Sequence, residues 1–161
     1  MNSSLLSAPD FSLEGTKNLV SLAKLKGSPT ILVFYPEDGT PVCTSQLSLY
    51  NEILPMFEKH GSDIYGISVD SRKSQKKFQA SLGLKFDLLS DTDPRGAVSK
   101  NFGVYDEKKK QSKRAIFVLN GDGDIHWSQI FPGNVNPGAD GILKALEEIS
   151  RLSIDGLTQE S

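Results

Sequence analysis

Short apolar runs alternate along this chain with stretches in which apolar residues recur every three or four positions, the signature of strands interleaved with helices. The run TILVFY at 30–35 is β-branched and aromatic with no polar alternation, which predicts a central strand buried on both faces. Over 44–60, Leu47, Leu49, Tyr50, Ile53, Leu54 and Phe57 keep helical spacing, and Pro55 predicts a kink in that helix. DIYGISV at 63–69 predicts a second strand, and Asp70 and Ser71 suit the cap of a polar helix over 72–82. KFDLL at 85–89 reads as a third strand, and Pro94 suits the first turn of a helix over 95–102. RAIFVL at 114–119 and IHWSQI at 125–130 flank NGDG, whose turn chemistry predicts an antiparallel hairpin. After the Pro- and Gly-rich FPGNVNPGAD, Ile142, Leu143, Leu146 and Ile149 mark a closing helix over 141–152.

This order predicts an α/β fold in which a mixed central sheet is flanked by helices. A length of 161 residues suits one domain, 1–161, around a single core, with a polar tail at 153–161 expected to fray. A net charge of -2 and a pI near 5.7 supply no general attraction to nucleic acid or to anionic membranes. No apolar run approaches the roughly 20 residues needed to cross a bilayer, and MNSSLLSAPDF lacks the basic and long apolar segments of a signal peptide. The expectation is a cytoplasmic protein without nucleic-acid or membrane partners.

His60 and His126 share no metal-ligand spacing with a cysteine, and NGDG is not a dinucleotide fingerprint, so neither a metal nor a nicotinamide or flavin cofactor is implied. Asp87, Asp91 and Asp93 read as capping and turn residues, and Trp127 as packing in the hairpin. The chemistry concentrates on Cys43, the single cysteine, which rules out an internal disulfide. A free cysteine is commonly just a small buried hydrophobe. Cys43, however, stands where the loop PEDGTP turns into a helix, directly behind the strand at 30–35. The free N–H groups and partial positive charge of a helix N-terminus favour thiolate over thiol, which makes Cys43 a candidate nucleophile.

Pro36, Thr40 and Cys43 stand at the spacing P-x-x-x-T-x-x-C. This resembles the active-site signature of the peroxiredoxins, and FYPEDGTPVCTSQL is similar to the Q-type branch, the bacterioferritin comigratory proteins. The resemblance runs from APDF at 8–11 to the closing helix and takes in LSDTDPRGAVSKNFGVY and RAIFVLNGDG. It implies a thioredoxin-like fold with an N-terminal β extension. It also implies a cofactor-independent thiol peroxidase that reduces hydrogen peroxide and organic hydroperoxides through a sulfenic acid at Cys43. In that reading the Thr40 hydroxyl orients the peroxide, and Pro36 shapes the loop and shields the sulfur from water. Arg114 matches the arginine that reaches the cysteine from another part of the sheet, where its guanidinium holds thiolate and peroxide together. The rest of the basic run KKKQSKR at 108–114 reads as solvated loop.

Three positions depart from the branch pattern. Gln46 stands where many relatives carry Glu, keeping an acceptor to support Arg114 but losing the charge. Val42, beside the substrate, replaces a common glycine and requires negative φ. Ser48 occupies the position where a second cysteine often lies. A sulfenic acid here must therefore meet a thiol from outside the subunit, which implies a one-cysteine form recycled by thioredoxin, glutaredoxin or a small thiol. The same absence leaves open a peroxide sensor or redox relay that passes oxidation from Cys43 to a partner. A redox-inert scaffold, the third reading, predicts a slowly alkylated thiol. The resemblance leaves both monomer and homodimer open, and it suggests local unfolding of the helix after Cys43 during recycling, with Pro55 as one limit.

Overall fold

The computed structural model describes residues 5–160, with side chains described as far as Ser153. A strand without polar alternation must be covered on both faces, and every residue of β3 (Thr30–Phe34) is buried. It pairs in parallel with β4 (Asp63–Ser68) and antiparallel with β8 (Arg114–Leu119). β5 (Leu88–Ser90) continues in parallel beyond β4, and β1 (Ser12–Gly15) and β2 (Leu19–Ser21) extend that edge antiparallel. These last two strands are the N-terminal β extension of a thioredoxin-like sheet. β9 (Ile125–Phe131) forms the other edge, so the predicted hairpin is present, with Ala115 opposite Ile130. The seven strands run in the order β2-β1-β5-β4-β3-β8-β9.

Alternation along β3 distributes the core between the two faces. Ile31 and Val33 pack with Tyr35 against Leu47 and Tyr50 of α2 (Pro41–Glu52), Phe57 of α3 (Leu54–Glu58), Phe78 of α4 (Arg72–Leu82) and Leu146 of α6 (Asp140–Glu160). Leu32 and Phe34 face the opposite layer with Phe11, Leu13, Phe117 and Phe102, which follows α5 (Ala97–Asn101). The Phe102 ring lies 5.1 Å from Phe34 and 5.0 Å from Phe117. Each such side chain, fully buried, stabilises by about 1.5–3 kcal/mol. Short α1 (Leu22–Leu25) leads from β2 towards β3, and β6 (Tyr105–Asp106) pairs antiparallel with β7 (Gln111–Ser112) ahead of β8.

Several boundaries differ from the pattern's prediction. The helix expected over 44–60 is two helices separated at Ile53, where φ is -101 and ψ is 17. Pro55 has no N–H, and its ring would meet the carbonyl four residues back, so the first helix stops and a second begins with Pro55 in its first turn. β5 occupies 88–90 rather than 85–89, because Asn51 of α2 holds the approach. Its side chain accepts the Lys85 N–H at 2.7 Å and donates to the Gly83 carbonyl at 3.0 Å. Within the basic segment, residues 107–110 are exposed, whereas Ser112 is buried in β7. α6 extends to Glu160, past the predicted end at 152. Of the tail expected to fray, Ser161 and the side chains beyond 153 lie outside the described residues. Among the described residues no helix is long and apolar enough to cross a membrane.

Candidate active site

The candidate site forms where β3 gives way to α2. The Tyr35 N–H still bonds the Ile67 carbonyl at 3.0 Å, after which Pro36 contributes no N–H and pairing stops. The loop 36–40 ends at Thr40, whose extended backbone (φ -76, ψ 152) is the N-cap of α2, and Pro41 fills the first helical position. The Thr44 N–H closes the first helical bond on the Thr40 carbonyl at 2.9 Å. Helix geometry then leaves the N–H groups of Val42 and Cys43 without an intrahelical acceptor, directed towards the N-terminal end. Cys43 itself is fully buried.

Arg114 arrives from across the sheet. Ala115 pairs with Phe34, so Arg114 at the start of β8 falls beside the end of β3, level with the loop. It is buried, and its guanidinium donates from Nη2 to Cys43 Sγ at 3.4 Å and from Nη1 to Gln46 Oε1 at 2.6 Å. Nε and Nη2 both reach the Gly133 carbonyl, at 3.2 and 2.8 Å. Gln46 in turn donates to the Tyr50 hydroxyl at 3.3 Å, and Tyr50 donates to the Gly138 carbonyl at 2.7 Å. Burial pushes the Tyr50 hydroxyl up to about 12, so it stays protonated and remains a donor. Among the described residues no carboxylate lies within ion-pair distance of Arg114. The oxygens around this buried cation are neutral, and the sulfur is the one partner able to become an anion.

A cleft of about 470 Å³ opens over this arrangement, lined by Pro36, Thr40, Val42, Lys109, Arg114 and Gly133 among others. Pro36, Thr40, Val42 and Arg114 thus share one cavity wall beside the buried Cys43, and Gln46 stands behind Arg114. Thr40 does not use its side chain to cap α2. Its hydroxyl donates to the Glu37 carbonyl at 3.0 Å, which leaves its oxygen lone pairs as acceptors. Val42 is accommodated at negative φ.

Three members of the surroundings were not singled out by sequence reasoning. The Gly133 carbonyl is supplied by backbone, so only its place in the Pro- and Gly-rich FPGN hinted at it. Tyr50 looked like another apolar helix position, although a buried tyrosine needs a partner for its hydroxyl. Asp38 lay within the recognised loop, and two of its partners, Asp70 and Ser74, come from elements distant in sequence.

The profile of the AhpC/TSA family matches residues 6–128. Alkyl hydroperoxide reductase E of Mycobacterium tuberculosis is 36% identical over 131 residues, covering 80% of this chain and 86% of its own length. Peroxiredoxin Bcp of Xanthomonas campestris is 37% identical over 125 residues, covering 73% of this chain and 75% of its own. The crystal structure of Enterococcus faecalis AhpC superposes with a TM-score of 0.86 at 26% identity, over 97% of both chains. Since the matched span contains both the β3–α2 junction and β8, the two segments that meet at Cys43, this chain belongs to the AhpC/TSA family as a peroxiredoxin of the Bcp/Q type.

Proposed function

We propose that this chain, working as one domain, is a thiol-dependent peroxidase that reduces hydrogen peroxide and organic hydroperoxides at Cys43. The observation that carries this reading is the 3.4 Å approach of Arg114 Nη2 to the sole thiol, made by a buried cation with no carboxylate partner among the described residues. The relatives' names, alkyl hydroperoxide reductase and peroxiredoxin, support the same substrate class.

The Cys43 thiolate attacks one oxygen of the peroxide. An S–O bond forms and the O–O bond breaks. The departing alkoxide takes a proton from solvent, replacing the one the thiol gave up, and leaves as alcohol, or as water from hydrogen peroxide. Arg114 and the free N–H groups of α2 stabilise the starting anion and the charge that develops on the leaving oxygen. The Thr40 hydroxyl orients the peroxide as an acceptor for its O–H or, after releasing Glu37, as a donor. Pro36 and Val42 limit water and substrate at the cleft wall.

Cys43 is left as a sulfenic acid with no second cysteine in the chain. An external thiol attacks that sulfur, releases water and forms a mixed disulfide, and a second thiol restores Cys43. Thioredoxin, glutaredoxin or a small thiol fits that role in a reducing cytoplasm. The lack of a resolving thiol also favours, as a second reading, a relay that hands oxidation to a protein partner.

The test is peroxide consumption by the intact protein with each class of thiol. Wild type is expected to turn over with at least one of them, and Cys43→Ser with none. A Cys43→Ser protein that keeps its rate refutes the proposal. One trapped mixed disulfide with a protein, without turnover by small thiols, supports the relay.

A further inference from the structure

We infer that Asp38 is a positioning residue for peroxide reduction, clamping the loop that presents Pro36 and Thr40 to the cleft beside Cys43. This rests on the peroxidase reading of Cys43. Asp38 lies two residues before Thr40, and three elements converge on it. The Tyr35 hydroxyl, at the end of β3, donates to Oδ1 at 2.6 Å, and the Ser74 hydroxyl of α4 donates to Oδ2 at 2.6 Å. The Asp38 N–H donates to Asp70 Oδ2, beyond the end of β4, at 2.9 Å. Asp70 is itself held, because the Ser68 hydroxyl donates to Oδ2 at 2.8 Å and the Ser90 hydroxyl donates to the Asp70 carbonyl at 2.6 Å.

The remainder of the loop has little else to fix it. Glu37 and Gly39 are exposed, and Thr40 is held through its carbonyl to the Thr44 N–H of α2, while its side chain bonds only back to Glu37. The Thr40 hydroxyl is thus set from two sides, by the start of α2 and, through the Glu37 carbonyl it bonds, by the anchor at Asp38. A carboxylate suits this task because each of its two oxygens accepts a separate donor, so one short side chain ties β3 to α4. Burial first, and the neighbouring Asp70 carboxylate in addition, raise Asp38 to about 6, so its ionised form at neutral pH is held against an electrostatic preference.

The experiment compares Asp38→Ala, Asp38→Asn and wild type in two single-turnover reactions of Cys43. One is oxidation by hydrogen peroxide followed by intact mass, and the other is alkylation by iodoacetamide. Both need the thiolate, but only the first needs the peroxide to be oriented. Asp38→Ala is expected to lose about 10- to 100-fold in peroxide rate, the scale of a small misplacement of reacting groups. Its alkylation rate is expected to stay within twofold of wild type. Asp38→Asn, which keeps one acceptor, is expected to recover part of the loss.

An unchanged peroxide rate in Asp38→Ala overturns the inference. So does a parallel change in both reactions, because that reports general loosening. If Asp38→Ala does not fold, Ser74→Ala removes one donor only, and it is expected to lose several-fold in the peroxide reaction alone. An unchanged ratio of the two rates in that variant overturns the inference as well. If wild type oxidises no faster than a free thiol, the peroxidase reading itself fails, and the inference with it.

Discussion

Arg114→Met removes the cation from the site while keeping an apolar stem in its place at the start of β8. The affected bond is Nη2 to Cys43 Sγ at 3.4 Å. A hydrogen bond to a charged group contributes about 1.5–3 kcal/mol, which at 1.36 kcal/mol per decade is a loss of about 10- to 150-fold in the rate of peroxide attack. A full Coulomb pair at 3.4 Å and an effective dielectric of about 20 attracts by about 5 kcal/mol, which sets a ceiling of a few thousandfold. Arg114→Lys keeps the charge, but a single ammonium cannot span Sγ, the Gln46 amide oxygen and the Gly133 carbonyl, so its rate should lie between the two.

Stability must be separated from this effect, because truncation strands the Gln46 and Gly133 oxygens at about 1–3 kcal/mol each. The assay is quenched-flow oxidation with intact mass, reading one added oxygen against peroxide concentration. It is run at a temperature where circular dichroism shows each variant folded. A folded Arg114→Met protein that oxidises within twofold of wild type would refute the role given to the guanidinium.

The Thr40 hydroxyl is expected to be worth about tenfold in peroxide rate, the scale of one neutral hydrogen bond, when Thr40→Val is compared with wild type. Thr40→Ser should recover most of it, and equal rates for the valine and serine variants would remove Thr40 from the mechanism. Asp38 gives a pH signature. Its carboxyl is raised from 3.8 to about 6, with Tyr35 and Asp70 as the titratable groups facing it, so the folded state binds this proton more tightly than the unfolded chain. The stability this supplies is full below about 4 and lost as pH rises through about 6. The urea midpoint of Asp38→Asn should therefore gain on wild type between those limits, and parallel profiles would contradict the shift. Gly96 has φ +76, and an added Cβ would run into the Tyr105 ring. Gly96→Ala is expected to destabilise by more than about 1 kcal/mol in the same urea assay, the strain of a left-handed alanine with overpacking added.

Local rules were enough for much of this molecule. The unbroken apolar run at 30–35 could only be covered on both faces, and the Gly-rich turn at 120–123 could only reverse the chain, so the central strand and the hairpin were legible. The spacing of Pro36, Thr40 and Cys43 is a property of one loop and one helix start, which is why these residues could be named before any geometry existed. Arg114 and Gln46 were legible through resemblance alone. Their 2.6 Å bond joins residues 68 positions apart, and no periodicity encodes such a distance.

The tertiary structure decided what depends on several distant elements at once. The register of β8 against β3 sets Arg114 at the level of the loop, and the fold brings Gly133 to its guanidinium. The break near Pro55 was legible only as a kink, while the late start of β5 went unread because the Asn51 anchor acts through the folded backbone. Asp38 shows the limit most plainly. In sequence it is one acid in a turn three residues past Tyr35, and only packing of β4 and α4 around the loop adds Ser74 and Asp70 as partners. Composition and spacing specify which groups a chain carries, while the approach of groups far apart in sequence follows from burying the sheet between its two helical layers.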